Sequence, residues 1–215
     1  MKLVLRRRDF NVNGLRLALF AALSLPAHAL DQQTLLVVGD SLSAEYGIAR
    51  GSGWVALLSQ QLQSDKPQWQ VVNASISGDT TAGGLARLPG LLKQHQPKLV
   101  VIELGGNDAL RGFSLKMTEE NLVKMIQACQ AIKAKVVLVG MQVPPNYGAS
   151  YAEDFTRMFA RISKQQQTAL VPFLLAGIAD DKDPTALFQA DRIHPKAQAH
   201  PRILANVWSV LKKLL

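Results

Sequence analysis

The chain alternates short, uninterrupted apolar runs with segments whose apolar residues fall three and four apart. This alternation constrains the fold more than any other feature. The runs are TLLVV at 34–38, VV at 71–72, LVVIEL at 99–104 and VVLV at 136–139, with a weaker ALV at 169–171. A strand with one wet face alternates polar and apolar residues; an unbroken run marks a strand covered on both faces, as in a parallel sheet. Between the runs lie five helical faces. They are Trp54, Leu57, Leu58 and Leu62; Leu85, Leu88, Leu91 and Leu92; Leu122, Met125, Ile126 and Cys129; Phe155, Met158, Phe159 and Ile162; and Ile203, Leu204, Val207, Trp208 and Leu211. Thr118, just ahead of Glu119 and Glu120, reads as the N-cap of the third helix. Five strands alternating with helices predict a three-layer α/β/α protein with a parallel five-stranded sheet and right-handed crossovers. No internal repeat and no long linker divides residues 30–215, which are expected to form one domain.

Residues 1–29 do not fit this pattern. Lys2, Arg6, Arg7 and Arg8 make a basic opening, Arg16 precedes an apolar run at 17–25, and Ala27-His28-Ala29 offers small residues at both positions a signal peptidase reads. That order predicts a cleaved signal peptide over 1–29 and a periplasmic or secreted product. A membrane span needs roughly 20 apolar residues, and this run has nine, so no stable membrane anchor is expected. Arg7-Arg8-Asp9-Phe10 faintly echoes a twin-arginine signal, but Asn11 breaks its apolar pair and points to ordinary export. No cysteine stands at the cleavage site, which argues against a lipoprotein.

The formal net charge of +8 shrinks once this segment is set aside. Residues 1–29 hold five Lys/Arg and one Asp, so 19 basic side chains face 15 acidic ones in the remainder, a net of +4. No basic run survives beyond Lys212-Lys213 and aromatic residues are 6%, so no nucleic-acid partner is expected. The single cysteine, Cys129, excludes an intramolecular disulfide and a multi-cysteine zinc site. Its helical spacing with Met125, Ile126 and Ile132 makes it a small core residue.

In parallel sheets the site lies beyond the carboxyl ends of the strands, at a switch point. There the sequence places Gly39-Asp40-Ser41-Leu42-Ser43, Asn73-Ala74-Ser75-Ile76-Ser77-Gly78-Asp79-Thr80, Gly105-Gly106-Asn107-Asp108 and Val143-Pro144-Pro145-Asn146-Tyr147-Gly148, with Asp191-Arg192-Ile193-His194-Pro195 before the last helix. Several chemistries are absent: no phosphate-cradling G-x-x-x-x-G-K-[ST], no G-x-G-x-x-G, no H-E-x-x-H and no G-x-S-x-G elbow. Asp180-Asp181-x-Asp183 has no nearby histidine and reads as a solvated loop. No metal and no cofactor are expected.

Ser41 is the candidate nucleophile, because a tight turn at a strand end can aim both its hydroxyl and its backbone N–H at the rim. Taken alone, a serine there is an ordinary N-cap. Of the histidines beyond residue 29, His95 ends a polar helix segment and is expected to face solvent, and His200 has no acid within one turn. His194 has Asp191 three residues earlier, a spacing that sets a carboxylate beside an imidazole. The other ring nitrogen is then available for the serine proton. A purely structural Asp–His pair fits the same spacing. Gly78, which lacks a side chain, the Asn107 amide and the Ser41 N–H are candidate oxyanion donors; turn geometry alone also accounts for Gly78 and Asn107.

Taken together, Gly39-Asp40-Ser41-Leu42-Ser43, Gly78, Gly105-Gly106-Asn107-Asp108 and Asp191-x-x-His194-Pro195 resemble the four blocks of the SGNH (GDSL-type) hydrolase family, in order and spacing. Residues 73–80, 83–89, 103–108 and 111–113 resemble its periplasmic Gram-negative branch, whose members combine acyl-CoA thioesterase, lysophospholipase and arylesterase activities. The resemblance implies a flavodoxin-like fold without metal or cofactor. It implies a Ser41–His194–Asp191 triad, an oxyanion hole of Ser41, Gly78 and Asn107, and hydrolysis of acyl esters and thioesters through an acyl-enzyme. Glu45 departs from the pattern where a small residue is expected, and an acidic side chain there disfavours anionic substrates such as acyl-CoA. Leu110, Phe113, Val143 and Pro144 are candidate contacts for the acyl chain of a small-molecule or lipid substrate, and a monomer is expected. Two alternatives remain open, a carbohydrate O-acetyl esterase and a non-catalytic envelope binding module.

Overall fold

The computed structural model describes residues 32–143, 145–183 and 185–215. The proposed signal peptide, Pro144 and Pro184 lie outside the described residues. Five strands, β1 (Gln33–Gly39), β2 (Trp69–Asn73), β3 (Leu99–Glu103), β4 (Lys135–Val139) and β5 (Ala169–Val171), form one sheet in the order β2-β1-β3-β4-β5. Every pairing is parallel, as the apolar runs predict. β3 is the central strand, with β1 and β4 on either side, and from Leu35 to Val38 and Leu99 to Ile102 every residue is fully buried. β2 is an edge strand whose Val71 and Val72 are only half-buried. That is why its apolar run is short.

Among the described residues there are six α-helices: α1 (Trp54–Asp65), α2 (Thr81–His95), α3 (Gly106–Leu110), α4 (Leu115–Ala131), α5 (Ala149–Gln166) and α6 (His200–Leu211). α1 packs with α6 on one face; α2, α4 and α5 pack side by side on the other. The helical faces read from spacing supply their buried residues, including Leu58, Leu88, Met125, Phe159 and Val207. Cys129 is fully buried, and burial pushes its thiol up to about 12. One element went unread and two expectations need correction. The short helix α3 was not legible, because its five residues carry no apolar period. α4 starts at Leu115 with Ser114 as its cap residue, so Thr118 is no N-cap. Thr118 is buried, and its hydroxyl turns inward toward the Asp108 carboxylate. His95, the last residue of α2, is half-buried rather than solvent-facing.

The order β2-β1-β3 means the chain leaves β1 toward one edge, then crosses back to the other side of β1. The crevice beyond β1 and β3 is the switch point of this sheet. Both the Ser41 turn and the Asn107 segment begin there.

Candidate active site

Gly39 ends β1 and Asp40 opens a single helical turn. The Asp40 carbonyl accepts from the N–H groups of Ser43 and Ala44, and its Oδ1 accepts from Leu42 N–H at 3.0 Å. The side chain thus caps the turn, leaving Ser41 as its first residue with an uncrowded hydroxyl. His194 Nε2 lies 2.8 Å from Ser41 Oγ, and His194 Nδ1 lies 2.7 Å from Asp191 Oδ2. With Nδ1–H donating to the carboxylate, Nε2 is the acceptor for the serine O–H; this tautomer follows from the hydrogen-bond network. Asp191 Oδ1 also accepts from the backbone N–H groups of Ile193 and His194, at 2.9 and 3.0 Å. Desolvation alone would raise this carboxyl; the His194 N–H, the His194 ring and the Ile193 N–H outweigh it and hold it at about 2. It stays ionised at any working pH.

The residues after β2 form the second wall. Ile76 N–H donates to Gly39 O, Asn73 Nδ2 donates to Ser43 O at 2.8 Å, and Arg87 pairs with Asp79 at 2.8 Å. Gly78 has φ +78, a conformation that favours glycine. The guanidinium of Arg111 donates to the Gly78 carbonyl at 2.9 Å and so ties this wall to the segment after β3. Asp108, fully buried, accepts from Thr81 N–H at 2.9 Å and Thr81 O–H at 2.5 Å, docking the start of α2 against α3. Asn107 Nδ2 lies 3.0 Å from Asp40 Oδ2. Ser41, His194, Asp191, Gly78 and Asn107, read from five separate positions in the sequence, therefore gather at one rim.

The acyl-chain candidates are more dispersed. Leu110 is 41% exposed at the end of α3, and Phe113 and Val143 are half-buried. Large exposed apolar side chains also gather on these loops: Tyr46, Ile76, Tyr147 and Ile193. Glu45 adopts φ +59, and its Oε1 accepts from Gly51 and Gly53 N–H at 2.9 and 2.8 Å, folding the loop before α1. His200 is buried, and its Nδ1 accepts from Trp54 N–H at 3.0 Å, so it caps α1 rather than serving the site.

Sequence reasoning missed what lies beneath. Glu103 Oε2 accepts from Ser43 O–H at 2.6 Å and Asp40 N–H at 3.2 Å, while Trp54 Nε1 donates to Ser43 Oγ at 3.2 Å. A side chain on Gly39 would meet Glu103 Oε2 at 2.6 Å, so only glycine lets this carboxyl sit against β1. Burial raises the Asp40 carboxyl to about 7, against the hydrogen bonds from Leu42 and Asn107 and with help from the charges of Asp79 and Asp108. Burial and the Asp40 charge hold Glu103 well above the ordinary carboxylate range. The signal was available: Glu103 is the only charge inside the five apolar runs. Tyr46, whose ring lies 4.3 Å from the His194 ring, had none.

The GDSL-like lipase/acylhydrolase family model matches residues 37–202, which span all four blocks. The chain belongs to this family. It is 53% identical over 194 residues to esterase TesA of Pseudomonas aeruginosa, covering 90% of this chain and 95% of that protein. It is 44% identical over 179 residues to thioesterase 1/protease 1/lysophospholipase L1 of Escherichia coli K12, covering 83% of each. A crystal structure of TesA superposes with a TM-score of 0.81 at 54% identity, over 85% of this chain and all of that one. The chain is accordingly a serine ester hydrolase with the SGNH fold. Among the described residues no helix is long and apolar enough to cross a membrane.

Proposed function

We propose that Ser41, His194 and Asp191 form a catalytic triad that hydrolyses acyl esters and thioesters through an acyl-enzyme. The observation that carries this reading is the unbroken relay from Ser41 Oγ through His194 to Asp191, at 2.8 and 2.7 Å. His194 Nε2 takes the serine proton as Oγ attacks the acyl carbonyl carbon. The carbonyl π electrons move onto oxygen, where Ser41 N–H, Gly78 N–H and Asn107 Nδ2–H stabilise the charge. As the carbonyl re-forms, the imidazolium donates its proton to the departing oxygen or sulfur, and the bond to the leaving group breaks. Water, deprotonated by the same imidazole, then attacks the acyl carbon; as the acyl–Oγ bond breaks, the imidazolium returns the proton to Ser41 Oγ and the acid leaves. Asp191 remains a carboxylate throughout and holds the ring.

The acyl chain lies along Leu110, Phe113 and Val143. The exposed apolar side chains of Tyr46, Ile76, Tyr147 and Ile193 around the mouth favour amphiphilic substrates, lysophospholipids among them. The names of the relatives, an esterase and a thioesterase/lysophospholipase, support this breadth. The Glu45 carboxylate is held in the loop before α1 by the Gly51 and Gly53 N–H groups, and acyl-CoA is run beside the neutral esters to test whether its charge disfavours anionic substrates. Residues 1–29 serve as a cleaved signal peptide, and the mature enzyme works as a periplasmic or secreted monomer without metal or cofactor. The test is hydrolysis of p-nitrophenyl esters of graded chain length beside a lysophospholipid and an acyl-CoA, with fluorophosphonate labelling. Rates that rise beyond acetate, with the label on Ser41, are expected. Labelling at another residue, or a preference for acetate alone, would overturn the reading.

A further inference from the structure

Two carboxyl groups lie under the nucleophile that the hydrolytic steps do not use. Asp40 is 2% exposed and Glu103 is fully buried, and neither makes an ion pair among the described residues. Burying a carboxylate away from any cation is costly unless hydrogen bonds replace its water. Asp40 has such bonds on both oxygens: Oδ1 accepts from Leu42 N–H and Oδ2 from Asn107 Nδ2. Glu103 has them on one only. Its Oε2 accepts from Ser43 and Asp40, while its Oε1 is buried without a partner. A protonated oxygen is far less costly than a charged one in that position. The two groups therefore divide their states, the charge on Asp40 and the proton on Glu103.

The consequence falls on Asn107. A side-chain amide has an acceptor end and a donor end of nearly equal size, and it serves an oxyanion only when Nδ2 is correctly turned. An ionised carboxylate accepts hydrogen bonds and donates none. With Asp40 Oδ2 at 3.0 Å, one Nδ2 hydrogen points to Asp40, and the flipped amide would set two acceptors against each other. The second Nδ2 hydrogen is left for the reaction. We propose that Asp40 is the positioning residue of the oxyanion hole, holding the Asn107 amide in its donating orientation, and that Glu103 is the neutral anchor that holds Asp40. This rests on the reading of Asn107 as an oxyanion donor.

The test is a double-mutant cycle on kcat for p-nitrophenyl butyrate hydrolysis. Asn107→Ala lowers kcat by roughly 10²–10³, with a smaller change in KM. Asp40→Asn does the same, because an amide at 40 cannot accept from both Leu42 and Asn107. The double variant is no slower than Asn107→Ala alone, since Asp40 acts through the group already removed. Glu103→Gln retains most of the rate, because its amide oxygen accepts the same two bonds, whereas Glu103→Ala loses it. If Asn107→Ala leaves kcat unchanged, the oxyanion reading itself fails. If Asn107→Ala is damaging but Asp40→Asn is harmless, or its loss multiplies in the double variant, the positioning role fails and the oxyanion reading stands. If Glu103→Gln falls as far as Glu103→Ala, the neutral anchor is wrong. Should Asp40→Asn not fold, the parent enzyme still decides by NMR. The Asn107 NH2 pair, identified by its loss in Asn107→Ala, must show one proton shifted downfield by a carboxylate. Two protons at ordinary amide positions would overturn the proposal.

Discussion

The two sides of this site are held in opposite ways. The Asp191–His194 loop is stitched by partners two and three residues apart, and its residues 191–193 are exposed. The Ser41 side is stitched across the sheet: Asp40 reaches Glu103 and Asn107, 63 and 67 residues away, and all but the Asn107 contact are buried. One side is a self-contained local motif; the other is part of the core. The difference separates chemistry from stability. Changes in the loop should remove activity and leave the fold, and changes beneath Ser41 should strike both.

The largest effects test the loop and its partner. Ser41→Ala and His194→Ala should each lower kcat on the order of 10⁶-fold, the scale found for the nucleophile and base of another triad, with thermal stability close to the parent's. His95→Ala and His200→Ala should keep most of the activity. A His200→Ala enzyme that is dead beside an active His194→Ala would reverse the assignment. Asp191→Asn should cost about 10⁴-fold in kcat, because no other side chain holds His194 Nδ1 among the described residues. Since Asp191 stays ionised down to about 2, its carboxylate holds the His194 ring across the working pH range. Asp191→Asn should therefore lower the plateau of the pH–rate profile, and a rate that merely shifts along the pH axis would contradict a tautomer-holding carboxylate.

The buried side should respond in stability. Glu103→Ala leaves Ser43 O–H and Asp40 N–H without their acceptor. At about 1–3 kcal/mol for each of the two buried donors, urea unfolding should show a loss of roughly 2–6 kcal/mol. An equal loss in Asp191→Ala would erase the contrast between the two sides. A smaller effect belongs to His200, whose Nδ1 caps α1; His200→Ala should cost about 0.5–1.5 kcal/mol. Burial holds this imidazole below its ordinary value, with the Glu45 charge and the Pro195 carbonyl pulling the other way. The unfolded chain then takes up the proton first as pH falls. The parent's advantage over His200→Ala should be complete above about pH 6.5 and shrink below it. Least of all, Tyr46→Ala removes a ring that packs, tilted by 40°, against His194. An aromatic pair is worth about 0.5–1.5 kcal/mol, so the rate should fall roughly 2- to 10-fold.

What the sequence by itself determined divides along the same line. The five strands and the faces of the long helices are written as apolar periods, and burial on both sheet faces demands those periods wherever the strands finally lie. The Asp191–His194 pair is equally local: three residues of spacing bring carboxylate and imidazole together whatever surrounds them. Tertiary structure decided the rest. Asp40 looks like an ordinary turn residue, and Thr118 like a cap, until Glu103, Asn107 and Asp108 arrive from across the switch point. Those contacts exist because β3 pairs with β1 on the side that β2 leaves open. Strand order follows from how the crossover helices pack, and no stretch of sequence carries it. The hydrogen bonds that seat the nucleophile join residues whose separation is set by that order alone.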